Sequence, residues 1–230
     1  MSENDCKMDK YLIDLIERMS DTSDQIMEGG YDSSKTISWK ALREAEKIEN
    51  ADFIPQLFAF IDHQKDKKKR SQAYFILGHI AKNLNDTTAL NYLINRVDKE
   101  TDKYVIASLL DRIASINKPA ETDLQPLISA TKNESWLIRH SAIQSLNNSV
   151  DTIAETALIA IIDNSDDPYN LIYAISTLNR IGTPRAIPYL EKQLKSKKTK
   201  VKNAAKFAIE AINNDTKMKA LVTNMTQTQF

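Results

Sequence analysis

Glycine is scarce in this chain, four in 230 residues, and proline numbers only six. So few turn formers argue against a β-rich fold, with its many tight turns, and against a disordered chain. Cysteine occurs once, at Cys6. A lone thiol makes no intrachain disulfide and no cysteine-rich metal site, and it is compatible with a reducing compartment. No apolar run approaches the roughly 18 residues of a membrane span. The acids of the first ten residues, with Asp14, Glu17 and Arg18 beyond them, do not form a secretory leader. Net charge is missing too: Lys+Arg and Asp+Glu both number 31. No overall field therefore draws the chain to nucleic acid or an anionic membrane. A cytoplasmic location is expected. The Asn-x-Ser/Thr triplets at Asn85, Asn133, Asn147, Asn214 and Asn224 read as chance in an Asn-rich chain with no secretion signal.

What the chain does have is repetition. The stretches KRSQAYFIL (69–77), IRHSAIQSL (138–146), NLIYAISTL (170–178) and VKNAAKFAIEAI (201–212) share one frame without gaps. A small residue occupies one column at Ala41, Ala73, Ala142, Ala174 and Ala205, with Ile106 as the exception. Four residues on come Ala45, Leu77, Leu110, Leu146, Leu178 and Ile209, and three further Ile48, Ile80, Ile113, Ser149, Ile181 and Ile212. The leucine column steps by 32, 33, 36, 32 and 31 residues. A period near 33 with no strand signal predicts stacked helix pairs. Leu57, Leu93, Leu127, Leu158 and Leu190 mark a second helix in each period. The small residue lets two helices cross closely, and the large one fills the space a turn away. A single pair cannot bury its apolar stripe, so stacking supplies the core.

Residues 1–34 read as an N-terminal helical cap and loop, 35–225 as the repeats, and 226–230 as a frayed tail. Met8, Tyr11, Leu12, Leu15, Ile16 and Met19 fall at helical spacing over 7–19. Gly29-Gly30 can end a short helix, and Ser33 or Ser34 can cap the next. Asp86, Asp151, Asp167-Pro168 and Thr183-Pro184 are start signals for later helices. Met218, Leu221, Val222 and Met225 predict one last second helix.

The pattern Val/Ile-Arg/Lys-x-x-Ala-x-x-x-Leu-x-x-Ile resembles the first helix of HEAT-like repeats, the short-period kind also found in phycobilisome lyases. Its basic member appears as Arg70, Lys103, Arg139 and Lys202, and Leu77-Gly78-His79-Ile80 and Arg180-Ile181-Gly182 resemble the Leu-Gly-x-Ile-Gly ending. The resemblance covers about residues 36–225. It is strongest in the last three repeats, while Ser38 and Ile106 depart from it. It implies an all-α, right-handed α-solenoid of about six helix pairs whose second helices line a concave surface.

Few residues suggest chemistry. His63, His79 and His140 fall in different repeats with no acid or nucleophile placed beside them, and read as surface or satisfied histidines. Asp163–Asp167 looks like a calcium loop but has Pro168 where the central glycine belongs and Ala174 where the bidentate glutamate belongs. No phosphate-binding glycine loop is present. No metal, cofactor or catalytic residue is expected. Basic turns at 65–70 and 195–202 alternate with acidic turns, which would break a phosphate track. Trp39 and Trp136 stand at first-helix starts and are expected to pack there.

Positions flanking each second-helix leucine should point away from the core. From them come the candidate partner-binding residues Phe60, Asn91, Tyr92, Asn95, Arg96, Tyr189, Lys192 and Gln193, a polar set with the aromatic and arginine residues interfaces favour. The expected function is a non-catalytic, monomeric module that binds another protein on the concave face as adaptor, assembly factor or inhibitor. Two alternatives rest on resemblance: a DNA-binding or DNA-glycosylase-like HEAT protein, which needs a basic groove with an acid beside aromatics, and a bilin-lyase-like protein.

Overall fold

The computed structural model describes residues 8–23 and 33–227, with side chains described through residue 216. The chain divides into two compact units, Met1–Ile116 and Asn117–Phe230. Every element among the described residues is helical except one isolated backbone bridge.

The first unit holds α1 (Lys10–Met19), α2 (Ile37–Ala45), α3 (Phe53–His63), α4 (Lys67–Leu84), α5 (Thr87–Arg96) and α6 (Lys103–Ala114). Helix α1 starts three residues later than its apolar spacing predicts, because the Asp9 carboxylate accepts the Tyr11 N–H at 2.8 Å and caps it there. It buries Leu12, Leu15, Ile16 and Met19 and packs on α2 and α4, covering the first helix pairs. Helix α2 is capped by Thr36, whose hydroxyl accepts the Trp39 N–H at 3.2 Å; Ser33 and Ser34 form a 3-10 turn ahead of it. The expected Gly29-Gly30 stop lies outside the described residues. Asp66, Asp86 and Asp102 cap α4, α5 and α6 in the same way. Ala41, Ala73, Ala45, Leu77, Leu110, Ile80 and Ile113 are fully buried, and Leu57 and Leu93 seal the second helices. Ile106 is half-buried because its neighbour Ala107 takes the contact position.

The second unit holds α7 (Gln125–Ala130), α8 (Trp136–Ser145), α9 (Thr152–Asn164), α10 (Pro168–Ile181), α11 (Ile187–Gln193) and α12 (Thr199–Gln227). Ahead of α7 runs an irregular segment, which accounts for the long 36-residue period. It pairs with 148–150: Lys118 N–H donates to Asn148 O at 2.8 Å, and Val150 N–H to Lys118 O at 3.0 Å. Helices α8, α10 and α12 stack as first helices, with Ala142, Ala174 and Ala205 fully buried. Asp151 and Asp167 cap α9 and α10 as expected. Thr183-Pro184 starts a 3-10 turn, and α11 begins only at Ile187. The predicted last helix pair is instead one continuous α12 of 29 residues, since no Gly or Pro interrupts 199–227. Gly182 must stay small: a Cβ there would lie 2.5 Å from Leu178 O and 2.9 Å from Ile212 Cδ1.

The basic column has a structural duty in each unit. Arg70 Nη1 donates to Gln64 O (3.0 Å) and Lys65 O (2.8 Å), the turn just before its own helix. Its other nitrogens reach Glu100, in the next repeat's turn, at 2.9 and 2.8 Å. Arg139 repeats the geometry: Nη1 to Asn133 O (2.8 Å) and Glu134 O (3.1 Å), and Nε to Asn170 Oδ1 (3.0 Å). The planar guanidinium serves two directions at once, which an ammonium does less well. Lys103 and Lys202, at the same column, are exposed.

Candidate functional site

In the first unit the second helices α3 and α5 lie side by side, and the outward residues of α5 divide by role. Asn91 and Asn95 are exposed and carry no cross-helix bond among the described residues. Tyr92 and Arg96 are half-buried and bonded to their neighbours. The Tyr92 ring stacks on Phe58 with centroids 3.9 Å apart and an 11° tilt. Its hydroxyl lies 2.9 Å from Asp62 Oδ1 and 3.2 Å from Phe58 O. Burial first, then that carboxylate, raises the phenol's pKa well above its ordinary value. Arg96 Nη1 donates to the same Asp62 oxygen at 2.7 Å and Nε to the Tyr74 hydroxyl at 3.2 Å. Phe60 lines a cavity of about 260 Å³ with Met8, Ile13 and Ile16 on the N-terminal helical side.

In the second unit the row α7, α9, α11 is open. Two cavities adjoin over α9, sharing Ala160 and Asn164 in their walls. The first, about 370 Å³, has an apolar floor of Ile128, Ile143, Ala157 and Ile161 and a polar rim of Thr131, Lys132, Asn164, Ser165 and Asn170. The second, about 720 Å³, is bounded by Thr156, Ile159, Pro188, Tyr189, Asp163, Arg185 and Lys192. The small side chains Ala157 and Ala160 on the outer side of α9 leave this space. Their positions belong to the outward columns, but nothing in their type sets them apart from core alanines. Asn164, Lys132 and Arg185 lie outside those columns and are not foreseen. Arg185 is held by Thr156 Oγ1 at 3.1 Å and by Glu155 at 3.7 Å. Glu155 is itself buried, accepting Thr183 N–H at 2.6 Å and the Thr183 hydroxyl at 2.8 Å. Lys192 donates to Asp163 at 2.8 Å, which raises its pKa, and lies 5.0 Å from the Tyr189 ring centre. Gln193 donates to Ile162 O at 3.3 Å.

Other candidates resolve differently. Trp136 is 63% exposed, and its expected packing reduces to one ring contact, with His140 at 5.7 Å. It stands at the first position of α8, one helix face away from the buried Ile138. Trp39 is 38% exposed, with the Arg43 guanidinium 5.6 Å from its ring centre. His140 is buried beneath Trp136, stacks on Tyr173 at 4.4 Å, and has Nε2 3.2 Å from Asn170 Oδ1. His79 is half-buried; burial, then Arg112, lowers its pKa to about 4. The basic turn 65–70 is matched from within the unit: Lys67 meets Asp102 (2.8 Å), Lys69 meets Glu17 (2.5 Å), and Arg70 meets Glu100. The turn 195–202 has no such match among the described side chains, and Lys195, Lys197, Lys198, Lys200 and Lys202 are all exposed. Among the described residues no group of three His, Cys, Asp or Glu could share a metal ion. Nor is any described helix long and apolar enough to cross a membrane.

Residues 124–210 match the family model of HEAT repeats, the part of the chain where the repeat columns are cleanest. No curated protein matches the chain. Among solved structures, a designed armadillo repeat protein in complex with peptide (KR)4 aligns with a TM-score of 0.50 at 18% identity, over 87% of this chain and 99% of that one. A second designed armadillo repeat protein covers the same shares, with a TM-score of 0.48 and 18% identity. The fold is thus an all-α helical-repeat fold of the HEAT and armadillo solenoid class.

Proposed function

Built of HEAT-like repeats, the chain serves, we propose, as a non-catalytic, monomeric binding module. It engages a partner protein through its second helices, as an adaptor, an assembly factor or an inhibitor. The observation that carries the reading is the pair of adjoining cavities over α9, walled by three second helices and floored by aliphatic side chains. An apolar pocket rimmed by a few polar groups is what a peptide anchor needs. The designed armadillo neighbour is described with a bound peptide, which supports a peptide-sized occupant for a helical-repeat row. In the first unit, Asn91 and Asn95 are the exposed part of the row, while Tyr92 and Arg96 hold the adjacent helix and present only their edges.

The test is lysine cross-linking of the chain with whatever is captured from its native cells, read by mass spectrometry. Links from Lys132, Lys192 and Lys195 are expected. Links confined to Lys103 and Lys206, on first helices, would overturn the reading.

A further inference from the structure

The second-helix row of the second unit carries a charge sign as well as a shape. We infer that its occupant is an acidic, extended peptide segment bearing one bulky aliphatic side chain. This deepens the binding-module reading and rests on it. The aliphatic side chain fills the smaller cavity, whose floor is Ile128, Ile143, Ala157 and Ile161. Burying one such side chain is worth about tenfold or more in affinity, enough to act as an anchor.

The acidic flanks follow from the walls. Three cations, Lys132, Arg185 and Lys192, line the two cavities against one carboxylate, Asp163. Asp163 is already engaged by Lys192 at 2.8 Å. Lys132 is exposed and has no ion pair among the described side chains. The Arg185 side chain is 55% exposed and tethered at Thr156, and the buried Glu155 carboxylate 3.7 Å away offsets part of its charge, so Lys132 is the lining cation with no counter-ion among the described side chains. Beyond Lys192 the chain runs straight into the exposed lysines 195–202, which have no ion pair among the described side chains. The whole unit holds eleven Lys and three Arg against six Asp and five Glu. A basic peptide would meet this surface with like charge, and like-charge juxtaposition is a strong source of rejection.

The polar rim suits an extended backbone. Asn164 Nδ2 is used by Ala160 O at 2.8 Å, which leaves its side-chain oxygen as an acceptor. The Thr131 hydroxyl donates to Ile128 O at 2.7 Å, which leaves its oxygen lone pairs. These are acceptors for peptide N–H groups, while the cations take the carboxylates.

The test uses the full chain and fluorescein-labelled ten-residue peptides, read by fluorescence anisotropy. One is Asp/Glu-rich with a central leucine; the others replace that leucine by serine, or the acids by lysine and arginine. The acidic leucine peptide should bind saturably and weaken with salt. The serine version should bind about tenfold or more weakly, and the basic version should not bind. Ala160→Leu fills the space shared by both cavities from an exposed helical position, so it should abolish binding with an unchanged melting temperature. Lys132→Glu with Lys192→Glu should reverse the charge preference. If the basic leucine peptide binds as well as the acidic one and Ala160→Leu blocks it, the acidic occupant is wrong while the binding-module reading stands. If no peptide binds saturably, or if Ala160→Leu leaves binding intact, the inference fails outright; the cross-linking pattern then decides the binding-module reading separately.

Discussion

The clasp between Arg70 and Glu100 is the contact whose removal should be felt most in the first unit. The Arg70 side chain is 14% exposed and that of Glu100 only 2%. Two parallel N–H···O bonds join them, and Glu100 also accepts the Thr101 N–H (3.0 Å) and Asp102 N–H (3.3 Å). Replacing Arg70 by methionine leaves a buried carboxylate with two backbone donors and no counter-charge. Losses of about 3–5 kcal/mol are typical for breaking such a pair from one side. For a unit of this size each kcal/mol moves the melting temperature by roughly 4 °C, so a drop of about 12–20 °C is expected. Glu100→Met should cost a similar amount. The double variant should lose less than the two singles together, by about 1.5–3 kcal/mol, because no lone charge remains. Circular dichroism with heat and with urea measures all four proteins. The pH dependence adds a sign. Burial acts to raise the Glu100 pKa, but the Arg70 bonds and the two N–H groups outweigh it and hold it below the usual value. The clasp is therefore fully present above the ordinary glutamate pKa and is lost as pH falls through the lower, folded one. Single losses under about 1 kcal/mol, or losses that simply add, would refute the reasoning.

Three further outcomes are expected. Lys118 is fully buried with Nζ 2.7 Å from Asn147 O, and burial lowers its pKa to about 7. Between pH 7 and the ordinary lysine range the unfolded chain holds the extra proton, so the stability of the natural protein relative to Lys118→Met should rise with pH, by at most about 1.4 kcal/mol per unit, in urea titrations at several pH values. Gly182→Ala should destabilise the second unit by about 1–3 kcal/mol in thermal unfolding, since the new methyl meets backbone oxygen as well as Ile212. Trp136→Ala should change stability by less than about 1 kcal/mol in the same assay, because the ring is mostly in water.

The helix pairs were legible because burial acts on side-chain type at fixed spacing: every alanine of the small column is buried to the last percent. Thr183 caps and Pro184 opens the helical segment as their types predict, but the first turn is 3-10 and α11 follows at Ile187, a distinction local sequence does not carry because proline fits either turn. The fusion of the last pair into α12 reflects weak punctuation: Asn213 and Asn214 disfavour helix only slightly, without a Gly or Pro to stop it. At the candidate site, outward position was readable and engagement was not. Tyr92 and Arg96 share a column geometry with Asn91 and Asn95, but Asp62 and Phe58 lie on the adjacent helix, and no local pattern announces them. The cavities over α9 were missed for a related reason: alanine signals close packing in a core and empty space on a rim, with the same letter.

The two guanidinium clasps bear on modular engineering. Near-equal repeat lengths invite transplanting one hairpin for another, yet Arg70 closes on a carboxylate at 2.8 Å, whereas Arg139 closes on an amide that also serves His140, with the Asp167 carboxylate only at 3.7 Å. Shuffled hairpins would set the amide where the ion pair belongs, stranding a charge at one seam. A graft must therefore carry its acceptor turn along, and the natural cutting points lie beyond Glu100 and beyond Asn170, not at the loops that sequence alignment alone would choose.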